Sequence, residues 1–188
     1  MSTKDAVLAA ARQLLVREDF KHLSLDDVAQ KAAVAKGTIF LHFKNKEDLL
    51  SSVVENIIKD MGDDLDPLLQ SKQAGIPLLK NVIATLLKTM GKNRDFLSQL
   101  GSLRKDLPPA HRESLCRGFQ KNREKLEELL QRVFSRRPSA PLAIYLIGLC
   151  RSVLFIERIT DKPKSLERSV QEIADFFLHG AGGAGHKR

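Results

Sequence analysis

Between residues 36 and 46 the chain sets Lys36, Thr38, His42, Lys44 and Lys46 around an apolar spine of Ile39 and Phe43. Lysine ammonium groups suit phosphates, while hydroxyl, imidazole and small groups suit phosphate oxygens or base edges. That chemistry is binding, not bond making. No Ser/His/Asp, Cys/His or paired-carboxylate set and no metal-ligand spacing stands in the sequence. An enzyme is therefore not expected, nor are catalytic residues, a metal or a cofactor.

Helices must position these groups. Leu25, Val28, Ala29 and Ala32 recur at i, i+3, i+4 and i+7, one helical face. Ser24 precedes that run with Asp27 three residues later, a capping-box arrangement. A second short helix follows with Ile39 and Phe43 inward and Lys36, Thr38, Leu41 and His42 mostly on other faces. Upstream, Val7, Leu8, Ala11, Leu14 and Leu15 form an inward stripe, followed by Phe20. A short helix propped on another, showing small, basic and hydroxyl groups, suits the DNA major groove. The expected DNA contacts are Ser24, Lys36, Gly37, Thr38, Phe40, Leu41, His42, Lys44 and Lys46. Leu41 is expected to touch a thymine methyl, which an apolar side chain can sense without a hydrogen bond, the alternative being that it packs on sugar.

These residues also carry a resemblance. Val28-Ala29, Val34, Lys36-Gly37-Thr38-Ile39-Phe40, His42-Phe43 and Lys46-Glu47-Asp48-Leu49-Leu50 fall in ungapped register with the TetR/AcrR family of bacterial transcriptional regulators. The resemblance covers about the first 55 residues. Beyond them only the style is shared: amphipathic helices and an apolar pair at the end. It implies an N-terminal DNA-binding module, a C-terminal ligand-binding body and a homodimer. The chain departs from the pattern in places. Ala35 stands where many relatives have Ser, so the second helix lacks a hydroxyl N-cap. Phe40 stands where relatives often have Tyr. Asp19 and Ala33 replace glycines at two turns.

The 188 residues are 43% hydrophobic and 29% charged, as in a soluble globular protein. Lys4 and Asp5 precede an amphipathic run, unlike a signal peptide. The longest apolar run, Ala140 to Cys150, stops at Arg151, too short to span a bilayer. Cys116 and Cys150 lie far apart, which favours small buried hydrophobes and a reducing cytoplasm over a disulfide framework. Net charge is +8, which permits a polyanion partner. The excess lies between Lys88 and Arg137. In residues 1–48 acids nearly balance bases, and Asp26, Asp27, Glu47 and Asp48 fall in first helical turns, leaving Lys36, Lys44 and Lys46 for phosphates.

The chain therefore reads as all-α: an N-terminal three-helix helix-turn-helix module (1–46), a C-terminal helical ligand-binding and dimerisation domain (47–180) and a flexible tail (181–188), with about nine helices by the pattern of apolar stripes and breakers. The fourth helix begins near Asn45 or Lys46. Asp66-Pro67 and Gly75-Ile76-Pro77 bracket a loose segment. Helices are expected at about 77–90, ending at Gly91, then 93–105, 110–134, 140–160 and 164–178. The helix at 140–160 is apolar nearly all round and the last one adds Leu166, Val170, Ile173, Phe176 and Phe177, so a two-fold interface through Leu142, Leu146, Val153, Ile173 and Phe177 is expected. The basic helix 112–137 reads as a solvated face with i,i+4 ion pairs. An apolar effector pocket is expected from Phe96, Leu100, Leu103, Phe119, Tyr145 and Leu149, and an aliphatic, acyl-like effector of unknown identity fits it better than a flat cation. The expected function is a cytoplasmic, ligand-responsive dimeric regulator, a repressor, binding double-stranded DNA at a palindromic operator, with no membrane partner. The alternative is a dimeric small-molecule-binding or scaffold protein with weakened DNA binding.

Overall fold

The computed structural model describes residues 2–15, 23–162 and 164–180, without the side chains of residues 99, 102–104 and 106. Asp19, Phe20 and the 181–188 tail lie outside the described residues. Among those described there is no strand. Ten helices run in order: α1 (Thr3–Leu15), α2 (Leu25–Ala32), α3 (Lys36–Phe40), α4 (Lys46–Asp63), α5 (Asp66–Gln70), α6 (Gly75–Lys92), α7 (Arg94–Asp106), α8 (Pro109–Val133), α9 (Ser139–Thr160) and α10 (Leu166–His179). The all-α expectation holds. The segment expected to be loose contains the one-turn α5, opened by Pro67 near its first position. Gly91 does not end α6, which continues to Lys92.

Compactness divides the chain into two units that do not follow the linear order. The first comprises residues 1–60 and 93–119, the second residues 61–92 and 120–188.

In the first unit α1 packs on α2 and α2 on α3. Val7, Leu8, Ala11 and Leu15 of α1, Val28 and Ala29 of α2, and Leu49, Leu50, Val53, Val54 and Ile57 of α4 are buried, as the 3.6-residue spacing requires. Gly118 lets α8 approach α4. A Cβ there would lie 2.8 Å from the Ile58 Cγ2. Arg12 of α1 ties α4 and the turn before α7, donating to the Asp60 carboxylate at 2.5 Å and to the Asn93 side-chain carbonyl at 3.0 Å.

In the second unit α6 is the central helix, packed on both α9 and α10. Leu78, Leu79, Val82 and Ile83 of α6 are fully buried. So are Leu126, Leu129 and Leu130 of α8. Phe134 and Phe177 stack with centroids 6.3 Å apart. Part of the basic face of α8 is structural rather than solvated. Arg132 donates to the carbonyls of Leu68, Leu69, Ser71 and Gln73, fastening the end of α5 and the link to α6. Lys125 pairs with Asp66 at 2.5 Å. The expected i,i+4 pairs also form along α8, Arg123–Glu127 in this unit and Arg117–Glu113 in the first.

The two cysteines differ from expectation in one case. Cys150 is buried, and desolvation pushes its thiol up to about 12. Cys116 is exposed.

The turn between α2 and α3 has the left-handed geometry that a glycine would normally supply. Ala33 sits at φ 55° and ψ 43°. Its N–H donates to Gln30 O, and the Val34 N–H donates to Ala29 O, the paired bonds of a Schellman end. A left-handed alanine costs roughly 1–2 kcal/mol. Glycine would remove that strain but loses roughly 0.4–1 kcal/mol through its freer unfolded chain. The Ala33→Gly variant is thus expected to be more stable by about 0.5–1 kcal/mol, read as a higher denaturant midpoint with unchanged slope. A lower midpoint would contradict this reading of the turn.

Candidate nucleic-acid interface

The interface is built from the start of α2 to the start of α4. Ser24 caps α2, its hydroxyl accepting the Asp26 N–H at 3.1 Å. The cap bond goes to Asp26, one residue before the Asp27 position of the capping box. After the Ala33 turn, α3 starts at Lys36 with Ala35 as N-cap and no side-chain cap bond. The short helix has little intrinsic stability, so packing must hold it. Ile39 is fully buried and Phe43 is 2% exposed. The N–H groups of His42 and Phe43 both donate to Ile39 O. Lys4 Nζ lies 5.8 Å from the Phe43 ring centroid, and His42 meets that ring edge-on at 6.4 Å.

The start of α4 is fixed by a box that fits the Asn45-x-x-Asp48 spacing. Asn45 Oδ1 accepts the Asp48 N–H at 2.8 Å, and the Asp48 carboxylate accepts the Lys44 N–H at 2.9 Å. This pair orients the backbone of Lys44 beside α3 and makes Asp48 structural.

With Ile39 and Phe43 turned in, the other groups turn out. Lys36, Gly37, Phe40, Leu41, His42 and Lys44 are exposed, and Ser24, Thr38 and Lys46 are half-buried. Leu41 is 81% exposed and Phe40 50%. All nine sequence-predicted residues therefore cluster around one short helix and its flanks. One detail differs. Lys36 was expected to stand free for phosphate, but its ammonium pairs with Asp26 at 2.8 Å.

The remaining candidate residues fare differently. Phe96 is buried, while Leu100, Phe119 and Leu149 are half-buried. The Leu103 side chain lies outside the described residues. Phe96, Leu100 and Phe119 belong to the first unit, Tyr145 and Leu149 to the second. Tyr145, expected in an apolar pocket, is instead 63% exposed. A groove of about 360 Å³ lies in the first unit between α1 and α4, lined by Asp5, Leu8, Ala9, Arg12, Val53, Asn56, Lys59 and Asp60. Its charged lining does not match the expected apolar pocket.

The expected dimer residues need a correction. Leu146, Ile173 and Phe177 are buried in the second unit's own core, and Leu142 and Val153 are half-buried. The outward apolar residues of α9 are Ile144, Tyr145, Phe155, Ile156 and Ile159, with Phe176 on α10. The α9 set falls at i, i+1, i+11, i+12 and i+15, a single stripe opposite the buried Ala143, Leu146 and Cys150. The face of α9 that carries Leu146 is thus covered by its own unit, and the face that carries Tyr145 is the outward one. This helix, Ser139–Thr160, is also long and apolar enough to cross a membrane by length and composition, with 17% of its most apolar window buried. The uninterrupted run still stops at Arg151, and the longer apolar window includes that charge. Among the described residues no group of three or more His, Cys, Asp or Glu could hold a metal.

A buried-spine helix with an exposed polar and basic surface, joined by a tight turn to a capped partner helix, defines a helix-turn-helix protein. Residues 7–53 match the family model described as "Bacterial regulatory proteins, tetR family". The chain is 33% identical over 79 residues to the uncharacterized HTH-type transcriptional regulator YhgD of Bacillus subtilis, a match spanning 42% of this chain and 40% of that protein. Two solved structures share its fold over nearly the whole length. One is the transcriptional regulator FadR of Bacillus subtilis in complex with stearoyl-CoA (TM-score 0.75, 16% identity, 94% of this chain and 98% of that one). The other is the TetR family regulator PfmR of Thermus thermophilus (TM-score 0.74, 20% identity, 93% and 98%). Residues 7–53 are thus similar to the DNA-binding module of TetR-family regulators, and the matched stretch spans less than half the length of YhgD.

Proposed function

We propose that this protein is a cytoplasmic, homodimeric, ligand-responsive transcriptional regulator, acting as a repressor at a palindromic operator. The observation that carries the reading is the division of α3 and its flanks. Ile39 and Phe43 are buried while Lys36, Gly37, Phe40, Leu41, His42 and Lys44 face outward. In this reading Thr38 and Leu41 meet base edges, Leu41 on a thymine methyl. Lys36, Lys44, Lys46 and His42 meet phosphates, and Ser24 sits at the backbone beside α2. The outward stripe of α9 with Phe176 of α10 supports a two-fold partner of the same chain, because a symmetric apolar face is covered by its own copy. Two modules so related would read half-sites about one turn apart, roughly 34–36 Å.

The effector is proposed to be a small apolar molecule of acyl type bound in the C-terminal body. The scarcity of aromatics, with one Tyr and no Trp, supports it. The stearoyl-CoA in the FadR structure is that protein's ligand and makes acyl thioesters the first compounds to try. An effector acts by favouring one spacing of the two modules over another. A second reading, a small-molecule-binding or scaffold protein with weakened DNA binding, is favoured by Ala35, which gives α3 no cap bond, and by Phe40, which has no hydroxyl for phosphate.

Selection of fragmented genomic DNA on the purified protein tests both. The regulator reading expects enrichment of a two-fold symmetric sequence, released by an acyl thioester. Equal recovery of all fragments, or none, would favour the second reading.

A further inference from the structure

The first turn of α1 sets a cation against the proposed DNA face. Ser2 and Asp5 close a reciprocal box there. The Ser2 N–H donates to the Asp5 carboxylate at 3.0 Å, and the Asp5 N–H donates to the Ser2 hydroxyl at 3.2 Å. Lys4 stands inside this fixed turn and is exposed. Its Nζ lies 5.8 Å from the centroid of the Phe43 ring, within the range of a cation–π contact. His42 meets the same ring edge-on. Lys44 follows that ring in the chain, with its N–H held by the Asp48 carboxylate. Lys4 of α1 and the His42–Lys44 segment are thus gathered around one buried side chain.

Local rules do not favour a lysine here, because the N-terminal end of a helix disfavours a cation. A residue that runs against its local rule points to a gain made elsewhere. The ring supplies only part of that gain. An exposed cation–π contact is weak, and an uncharged stem covers Phe43 as well. We propose that Lys4 is a further phosphate ligand, which extends the DNA footprint from α3 and the start of α4 onto α1. The proposal rests on the DNA-binding reading above. Phosphates recur about every 3.4 Å of axis on each strand, so cations spread around one ring meet successive phosphates. An ammonium has three N–H donors and keeps its ring contact while it turns one of them to phosphate. Lys36 holds Asp26 on the same module. The described contact of the Lys4 ammonium is a neutral ring, so among the described residues no ion pair has to break.

The test uses the full chain as wild type, Lys4→Met, Lys4→Arg and Lys72→Met. Lys4→Met keeps a stem over Phe43 and removes the charge. Lys72 is an exposed lysine of the second unit, so its variant removes the same charge elsewhere. Each protein is titrated across salt concentrations on a random-sequence duplex and on the duplex selected from genomic DNA. Lys4→Met is expected to weaken binding to both by about fivefold per bound module at about 0.15 M salt, and to flatten the log–log salt slope by about 0.9 per module. Its denaturant midpoint should stay at the wild-type value. Lys4→Arg should keep the wild-type slope, and so should Lys72→Met. An unchanged slope for Lys4→Met would overturn the proposal, and a lowered midpoint beside that slope would make Lys4 a prop for Phe43 alone. Equal flattening by Lys72→Met would overturn it too, because net charge and not contact would then be at work. Wild type that binds neither duplex would remove the DNA-binding reading itself, an outcome distinct from intact binding with an unchanged slope.

Discussion

The Ile156→Glu variant is expected to sediment as a monomer at micromolar concentrations where the wild type is expected to sediment as a dimer. Ile156 is 56% exposed on the outer stripe of α9, so the folded subunit tolerates the charge at little cost, within about 0.5 kcal/mol. In a two-fold interface the substitution occurs twice, and each carboxylate loses water without gaining a partner, costing several kcal/mol. Loss of the dimer also separates the two DNA-binding modules. A linked pair gains about 10²–10⁴ over one module, so operator affinity should fall by about a hundredfold or more. Phe155→Glu, on the same stripe, should behave alike. By contrast Leu146→Glu, inside the subunit's own core, should fail to fold. Dimers of unchanged sedimentation for both surface variants would refute the α9 interface.

The second large effect concerns the anchor of α3. Phe43→Ala removes a ring that is 2% exposed, together with its contacts to His42 and Lys4. Truncating a buried phenylalanine costs about 3–5 kcal/mol, a large share of a typical total stability of about 5–15 kcal/mol. The variant should lose its denaturant midpoint and its DNA binding together, while Phe43→Leu should keep much of both. An unchanged midpoint with binding lost would make Phe43 a DNA contact instead of a prop.

The parts that sequence reading resolved were those fixed by local rules. Ser24 as N-cap, the α2 stripe, the left-handed Ala33 and the uncapped Ala35 each follow from a residue type at a set position, and each stands as expected. The inward Ile39 and Phe43 follow from spacing on a short helix. What sequence could not resolve depends on long-range packing. A helix apolar on both faces gives no periodicity to say which face is covered by its own chain, so Leu146, expected at an interface, is buried and Tyr145, expected in a pocket, is exposed. The Asp26–Lys36 pair spans a turn whose geometry must be known first. The Arg132 clamp needs the carbonyls of residues 68–73 gathered at one point. Cys116 and Cys150 are chemically identical in sequence and differ only in what covers them.

The most direct measurement is dimethyl sulfate protection on the duplex selected from genomic DNA, because the reagent methylates guanine N7 in the major groove, where α3 is proposed to sit. Two blocks of protected guanines should appear on one face of the duplex, centred about 10–10.5 base pairs apart or a multiple of it. They should disappear with Phe43→Ala and merge into weak, independent protection with Ile156→Glu. Protein bound to the same duplex with every major-groove N7 still reactive would contradict the placement of α3.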